Sequence, residues 1–301
     1  MSKRNLSASV RQRLLNQAHS LDRPFQELLQ YYCMERFLYR LSRSQYANRF
    51  ILKGALLLTA WRAPLSRPTV DIDLMGRTSN ELAHIESVVR ELCNVVSEPD
   101  GVKFSAASIK VARIKEDAEY EGVRVRFRAV LAGAQIPMQI DIGFGDVVTP
   151  QPTTVEYPTL LDFPSPVLMA YPKETVIAEK LEAMTTLGLL NSRFKDYFDL
   201  WLLSRLYAFE GTTLGDAIAA TFHHRETLIE ALPVGLSEAF ASDPAKHRQW
   251  AAFLRRSRFK NAPSELNDTI GAVREFAHPP LSAAASGSPF TAVWKPGESW
   301  T

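Results

Sequence analysis

The residues of this chain best placed to do chemistry are aspartates on short apolar strands. In Thr69-Val70-Asp71-Ile72-Asp73-Leu74, the two-residue period of a strand sends Val70, Ile72 and Leu74 to one face and Thr69, Asp71 and Asp73 to the other. Two neighbouring carboxylates repel, so one must hold a proton or both must share a cation, and a hard divalent ion such as Mg²⁺ or Mn²⁺ takes both through oxygen. A lone Asp-x-Asp also describes a solvated edge strand, so the pair gains weight only in company. Met138-Gln139-Ile140-Asp141-Ile142 repeats the pattern, with Asp141 opposite the apolar positions. If the two strands pair, three carboxylates converge, an arrangement that holds metal against phosphates and helps deprotonate an attacking hydroxyl. Asp146, after Gly145, reads as a turn residue.

Three other placements are unusual. Phe50-Ile51-Leu52-Lys53-Gly54-Ala55 reads as an apolar strand turning at glycine into a helix, whose backbone N–H groups suit a triphosphate, although a plain strand-to-helix turn has the same sequence. Helical spacing puts Lys180 beside Ile177 and Met184 at the edge of an apolar face, with Glu179 pointing away. Such a lysine either snorkels to water or offers a point charge to a phosphate. Asp196 and Asp199 share a helical arc with Leu200 and Leu203. Helix-start placement and a Lys195–Asp199 pair explain these acids singly. Charged groups gathered on inward faces point instead to a site, where the acids orient Lys180, a nucleobase or an arginine.

The elements that must position these groups follow from periodicity. The first 45 or so residues are helical, with Pro24 opening a second helix, and strand-like runs at 69–74, 122–131 and 136–142 follow. Beyond proline-rich loops at 148–152 and 157–166, helical spacing returns at 175–187, 195–207, 214–222 and 266–276. This predicts an α+β fold: residues 1–165 as a helical segment plus a core, 166–280 as a helical domain, and 281–301 as a loose or surface-hugging tail. The 301 residues are 46% hydrophobic, enough for a sizeable core. A net charge of +2 is too mild to show nucleic-acid binding, so basic surface must come from local clustering. Cys33 and Cys93 lie far apart and without ligand-spaced neighbours, which argues against a disulfide framework or zinc and fits a reducing cytoplasm. No stretch approaches the roughly 20 apolar residues of a membrane span, so a soluble cytoplasmic protein is expected.

Two basic clusters could meet an acceptor. Arg124, Arg126 and Arg128 alternate with apolar residues along one strand face, and Lys246-His247-Arg248 with Arg255-Arg256-Ser257-Arg258-Phe259-Lys260 form a basic helical stretch. Either serves equally well as solvated surface. The second, with Trp250 and Phe253 nearby, is the one expected to bind RNA phosphates.

In order and spacing, the blocks FILKGALLL, RPTVDIDL, YEGVRVRFRAVL, MQIDIGFGD, YPKETVIAEKLEAM and NSRFKDYFDLWLL resemble the AbiEii/AbiGii nucleotidyltransferase toxins of type IV toxin–antitoxin and abortive-infection systems, including mycobacterial tRNA-modifying members. The resemblance covers nearly the whole chain. It implies a DNA-polymerase-β-like nucleotidyltransferase core with a helical C-terminal half. By family pattern Asp71 and Asp73 look like the metal pair, Asp141 a third metal carboxylate, Lys180 the nucleotide-phosphate lysine and Asp196 the essential acid of the fourth motif. Lys53, Gly54, Ala55, Arg67, Thr69 and Asp199 are the expected nucleotide contacts. The resemblance further implies Mg²⁺ or Mn²⁺, an NTP substrate, an RNA acceptor, which is tRNA where known, and a separately encoded antitoxin. Where many superfamily members have Gly-Gly or Gly-Ser, this chain has Gly54-Ala55, with fifteen residues before Asp71. Alanine keeps the helix start but lacks a hydroxyl or a second flexible amide.

Two other readings compete. A metal-dependent nuclease also uses clustered acids and a lysine, but its usual acid-x-lysine strand is missing around Asp141, and Glu179 and Lys180 are adjacent on a helix. A catalytically inert RNA- or partner-binding module on the same fold would have no need to keep Asp71, Asp73, Lys180 and Asp196 together.

Overall fold

The computed structural model describes residues 3–63, 68–116, 120–257 and 262–301. The chain divides into two compact units, Met1–Gly145 with Thr153–Ala170, and Asp146–Pro152 with Tyr171–Thr301.

The first unit runs α1 (Lys3–Ser20), α2 (Phe25–Ser42), β1 (Phe50–Lys53), α3 (Leu56–Ala60), β2 (Asp71–Gly76), α4 (Leu82–Cys93), β3 (Val102–Glu116), β4 (Tyr120–Leu131), β5 (Ala134–Phe144), β6 (Thr153–Glu156) and β7 (Val167–Ala170). Its seven strands form one mixed sheet in the order β3-β4-β5-β2-β1-β7-β6. The strand β7, expected at the start of a second domain, pairs in parallel with β1 through Leu52 and Ala170 and so belongs to this sheet. Alternation decides the two faces. Val123, Val125 and Phe127 of β4, Met138, Ile140 and Ile142 of β5, and Ile72 and Leu74 of β2 are all buried. Phe37 of α2 closes this core against Phe104 and Phe127, with ring centroids 5.4 and 5.3 Å away.

Every residue of α2 from Leu28 to Leu41 is buried, so its charges cannot be solvated and have to be paired. Arg40 takes Asp100 with two bonds of 2.8 and 3.2 Å, and Arg36 lies 2.8 Å from Glu35. Burial outweighs Arg36 and pushes the Glu35 carboxyl up to about 7.

The second unit holds α5 (Lys173–Leu187), α6 (Phe194–Leu206), β8 (Phe209–Glu210), α7 (Gly211–His224), α8 (Glu238–Ala241), α9 (Pro244–Ser257), α10 (Leu266–Ser286) and β9 (Val293–Trp294). Two departures from expectation occur here. Helix α10 runs through Pro279 and Pro280, residues that normally stop helices, and ends only at Gly287, whose φ of +67 supplies the left-handed cap. The terminal stretch is anchored: Trp294 is buried, donates from Nε1 to the Ser204 carbonyl at 2.7 Å, and sits edge-on to Phe276 at 5.0 Å. Trp300 stacks on the same Phe276 ring at 5.8 Å. A tail with small, polar and turn-forming residues therefore docks through its two tryptophans.

Candidate active site

In the first unit, antiparallel pairing of β1 with β2 sets Lys53 opposite Asp73, and parallel pairing of β2 with β5 sets Asp73 opposite Asp141 and Asp71 opposite Gln139. The two aspartate-bearing strands do pair, and Asp71, Asp73 and Asp141 occupy the sheet face away from the core, each half-buried. Asp73 has a seat made for it. Gly54 has φ +72, and a Cβ at that position would lie 2.6 Å from Asp73 Cγ, closer than real carbon atoms approach, with Asp73 Oδ2 closer still. Only glycine both tolerates that backbone and leaves room for the carboxylate.

The expected third ligand is differently engaged. Arg124, opposite Asp141 on β4, donates from Nε and Nη2 to its two oxygens at 2.8 and 2.6 Å, and Gln139 adds a third bond at 3.2 Å. Among the described residues no three His, Cys, Asp or Glu side chains gather to hold a metal ion. Asp71 and Asp73 are two half-buried carboxylates on one strand face, a chemistry that a hard divalent ion takes through oxygen. Two adjacent carboxylates meet the habit of Mg²⁺, which takes one or two protein oxygens and fills the rest of its shell with phosphate and water.

The expected phosphate-binding helix start also differs. Helix α3 is a single turn of five residues, Ala55 at its cap is buried, and the Leu57 and Leu58 amides already donate to the Gly54 and Ala55 carbonyls. So short a helix sums few peptide dipoles. Thr69 bonds locally through its hydroxyl to the Asp71 backbone at 3.4 Å, and its amide donates to the Tyr31 hydroxyl at 3.2 Å. Its visible role is to shape the entry to β2. Arg67, Arg258 and Lys260 lie outside the described residues.

In the second unit, Lys180 on α5 reaches two acids of α6, Asp196 at 2.6 Å and Asp199 at 2.9 Å, and Arg193 approaches the other Asp196 oxygen at 2.8 Å. Burial alone would raise the Asp196 carboxyl, but the Lys180 and Arg193 charges overcome it and hold it at about 2, below its ordinary 3.8. A depressed carboxylate stabilises the fold above its unfolded value and loses that contribution as pH falls through the folded one. Asp196 is thus expected to contribute on the order of 2 kcal/mol above pH 4, lost between about 4 and 2. Urea unfolding across that range checks this, and Asp196→Asn should flatten the dependence; an equally steep loss in the variant would move its origin elsewhere.

Glu179, expected to point away, is half-buried and lies 3.6 Å from Arg225. The same guanidinium holds Glu182 at 2.6 Å and Asp146 at 3.5 Å, so Asp146 is part of a buried charge network and is more than a turn residue. Burial disfavours the Arg225 charge, but these three carboxylates prevail and raise its pKa. Nothing in the sequence around Arg225 signals this network. The basic helical cluster is partly internal: Lys246 is buried and donates to the Asn191 carbonyl at 2.8 Å, and a His247 ring nitrogen lies 2.7 Å from the Ala241 carbonyl. Of the described cations there, Arg248, Arg255 and Arg256 are exposed.

Two solved Helicobacter pylori structures are similar in part: one described as a "putative nucleotidyltransferase" (14% identity, 88% of this chain and 99% of that one, TM-score 0.47) and JHP933 (16% identity, 87% and 96%, TM-score 0.48). No curated protein matches. The family model described as nucleotidyl transferase AbiEii toxin, type IV toxin–antitoxin system, matches residues 36–276, most of both units, and the chain belongs to that family.

Proposed function

We propose that this member of a nucleotidyltransferase toxin family moves a nucleotide from an NTP onto an RNA acceptor, tRNA in the first instance, in a reaction that needs Mg²⁺ or Mn²⁺. The observation that carries the metal reading is the Asp71–Asp73 pair on one strand face, with Gly54 kept bare beside Asp73. A divalent ion held there would offset the charge of the triphosphate and of the leaving pyrophosphate. The acceptor hydroxyl attacks the α-phosphorus, the bond to the β-phosphate breaks, pyrophosphate leaves, and the hydroxyl proton passes to a carboxylate of this face. Lys180 is assigned to the phosphates, with Asp196 and Asp199 fixing its ammonium group. The choice of RNA rests on the resemblance to tRNA-modifying members, and a separately encoded antitoxin partner on the type IV toxin–antitoxin family.

The test uses purified protein, total RNA, a divalent ion and each NTP in turn, labelled at the α-phosphate. Label entering an RNA band of tRNA size, and lost on chelation, is the expected result. Shortened RNA without label would indicate a nuclease, and RNA bound but unchanged with every NTP would indicate an inert binding module.

A further inference from the structure

The sheet face that carries Asp71 and Asp73 continues across two more strands, and its charge changes sign on the way. Register sets Asp71 beside Gln139, Gln139 beside Arg126, and Arg126 beside Lys110. Arg128 and Lys103 lie further along β4 and β3 on the same face. Lys103, Lys110, Arg126 and Arg128 are all exposed. Arg124, nearest the acids, is neutralised by Asp141, whereas Arg126 and Arg128 are held only by neutral amides: Arg126 Nε donates to Gln139 at 2.9 Å and Arg128 Nη1 to Gln135 at 3.3 Å. Among the described residues no carboxylate forms an ion pair with these four cations. The glutamines fix the guanidinium groups in place without cancelling their charge.

We infer that this basic field is the docking surface for the phosphate backbone of a single-stranded acceptor end, which crosses β3, β4 and β5 to bring its terminal hydroxyl to the Asp71–Asp73 pair. The inference rests on the transferase reading above for what happens at that pair. Strands about 5 Å apart place Arg126 about 10 Å and Lys110 about 14 Å from Asp71, a reach of a few nucleotides. The face presents amides, small side chains and a proline, Pro137, between its cations, and no aromatic residue stands at its positions 103, 105, 110, 112, 124, 126, 128, 130, 135, 137, 139 or 141, since Phe104 and Phe127 are buried on the opposite face. Stacking on bases is therefore not on offer, and binding proceeds through phosphates without reading sequence.

The probe is a short unstructured RNA oligonucleotide, with binding followed by fluorescence anisotropy against salt. Four phosphate contacts on a single strand contribute a log–log slope of about −2.8, so affinity falls about 50-fold between roughly 50 and 200 mM salt on their account. Lys103→Gln/Lys110→Gln/Arg126→Gln/Arg128→Gln should flatten the slope by that amount, and Arg126→Gln/Arg128→Gln by half of it should the fourfold variant melt early. Asp71→Asn should keep the wild-type slope. A slope unchanged in both basic variants overturns the inference, and so does wild-type binding to polyglutamate as tight as to RNA. Failure of the transferase reading looks different: wild type binds RNA with the full slope yet incorporates no label from any NTP.

Discussion

Asp73→Asn is expected to lower nucleotide transfer by about 10³-fold or more with the fold retained, and Gly54→Ala to do nearly the same with every carboxylate still in the sequence. The asparagine keeps the shape of the side chain and removes its charge, so the loss reports electrostatics and leaves packing alone. The alanine acts sterically. Its Cβ would stand 2.6 Å from Asp73 Cγ and 2.7 Å from Asp73 Cβ, and the carboxylate must move to make room. Asp71→Asn should match Asp73→Asn, since the proposed ion takes both carboxylates. Gly54→Ala also strains a backbone at φ +72, which costs about 1–2 kcal/mol and shows in the melting temperature. A double-mutant cycle separates strain from displacement. If Gly54 serves Asp73, then Gly54→Ala added to Asp73→Asn costs stability but little further activity; full additivity of the two losses would detach Gly54 from the carboxylate. Full turnover by Asp73→Asn at saturating metal would remove Asp73 from the pair.

The parts of this arrangement that strand alternation governs were open to reading in the sequence. A period of two admits only two faces, so Asp71, Asp73 and Asp141 had to share one once Ile72, Leu74, Ile140 and Ile142 claimed the other. Register was not available from the sequence, and it is register that sets Arg124 against Asp141, so that the expected ligand is also half of an ion pair. The inward acids of α6 were legible from helical spacing, because Asp196 and Asp199 share an arc with Leu200 and Leu203, all buried. Which lysine they meet was suggested only by the odd position of Lys180 in its own helix. Arg225 and its three carboxylates come from segments separated by loops, and no local pattern could have joined them. The same holds for Lys246: on a helical wheel it belongs to a basic cluster, but a free carbonyl at Asn191 and the Phe240 ring 4.9 Å away draw it inside. Charge runs thus predict composition better than exposure. Single cations are recruited inward wherever a buried acceptor needs a donor.

Lys180→Met is expected to damage both stability and triphosphate use, and separating the two losses decides what the lysine does. The side chain is 13% exposed and lies between carboxylates that are 2% and 4% exposed. Arg193 adds a second cation at the other Asp196 oxygen, and the Lys195 charge also acts on Asp196. Methionine keeps the stem and removes the ammonium group shared by both acids, and breaking a buried pair in this way costs about 3–5 kcal/mol. A fall in activity alone would therefore prove little. Lys180→Met/Asp196→Asn/Asp199→Asn removes the lysine and both acids together, leaves neutral groups of similar volume beside an Arg193 that is 49% exposed, and should recover most of the melting temperature. On the proposed reading this folded triple variant still has a KM for NTP raised tenfold or more, because a triphosphate loses its point charge. Lys180→Arg completes the argument: the guanidinium pairs readily with carboxylates, so stability should return, but its planar fork places charge differently, and KM should stay high. Wild-type KM in the triple variant would make Lys180 a purely structural cation, and the phosphate assignment would then have to pass to another residue.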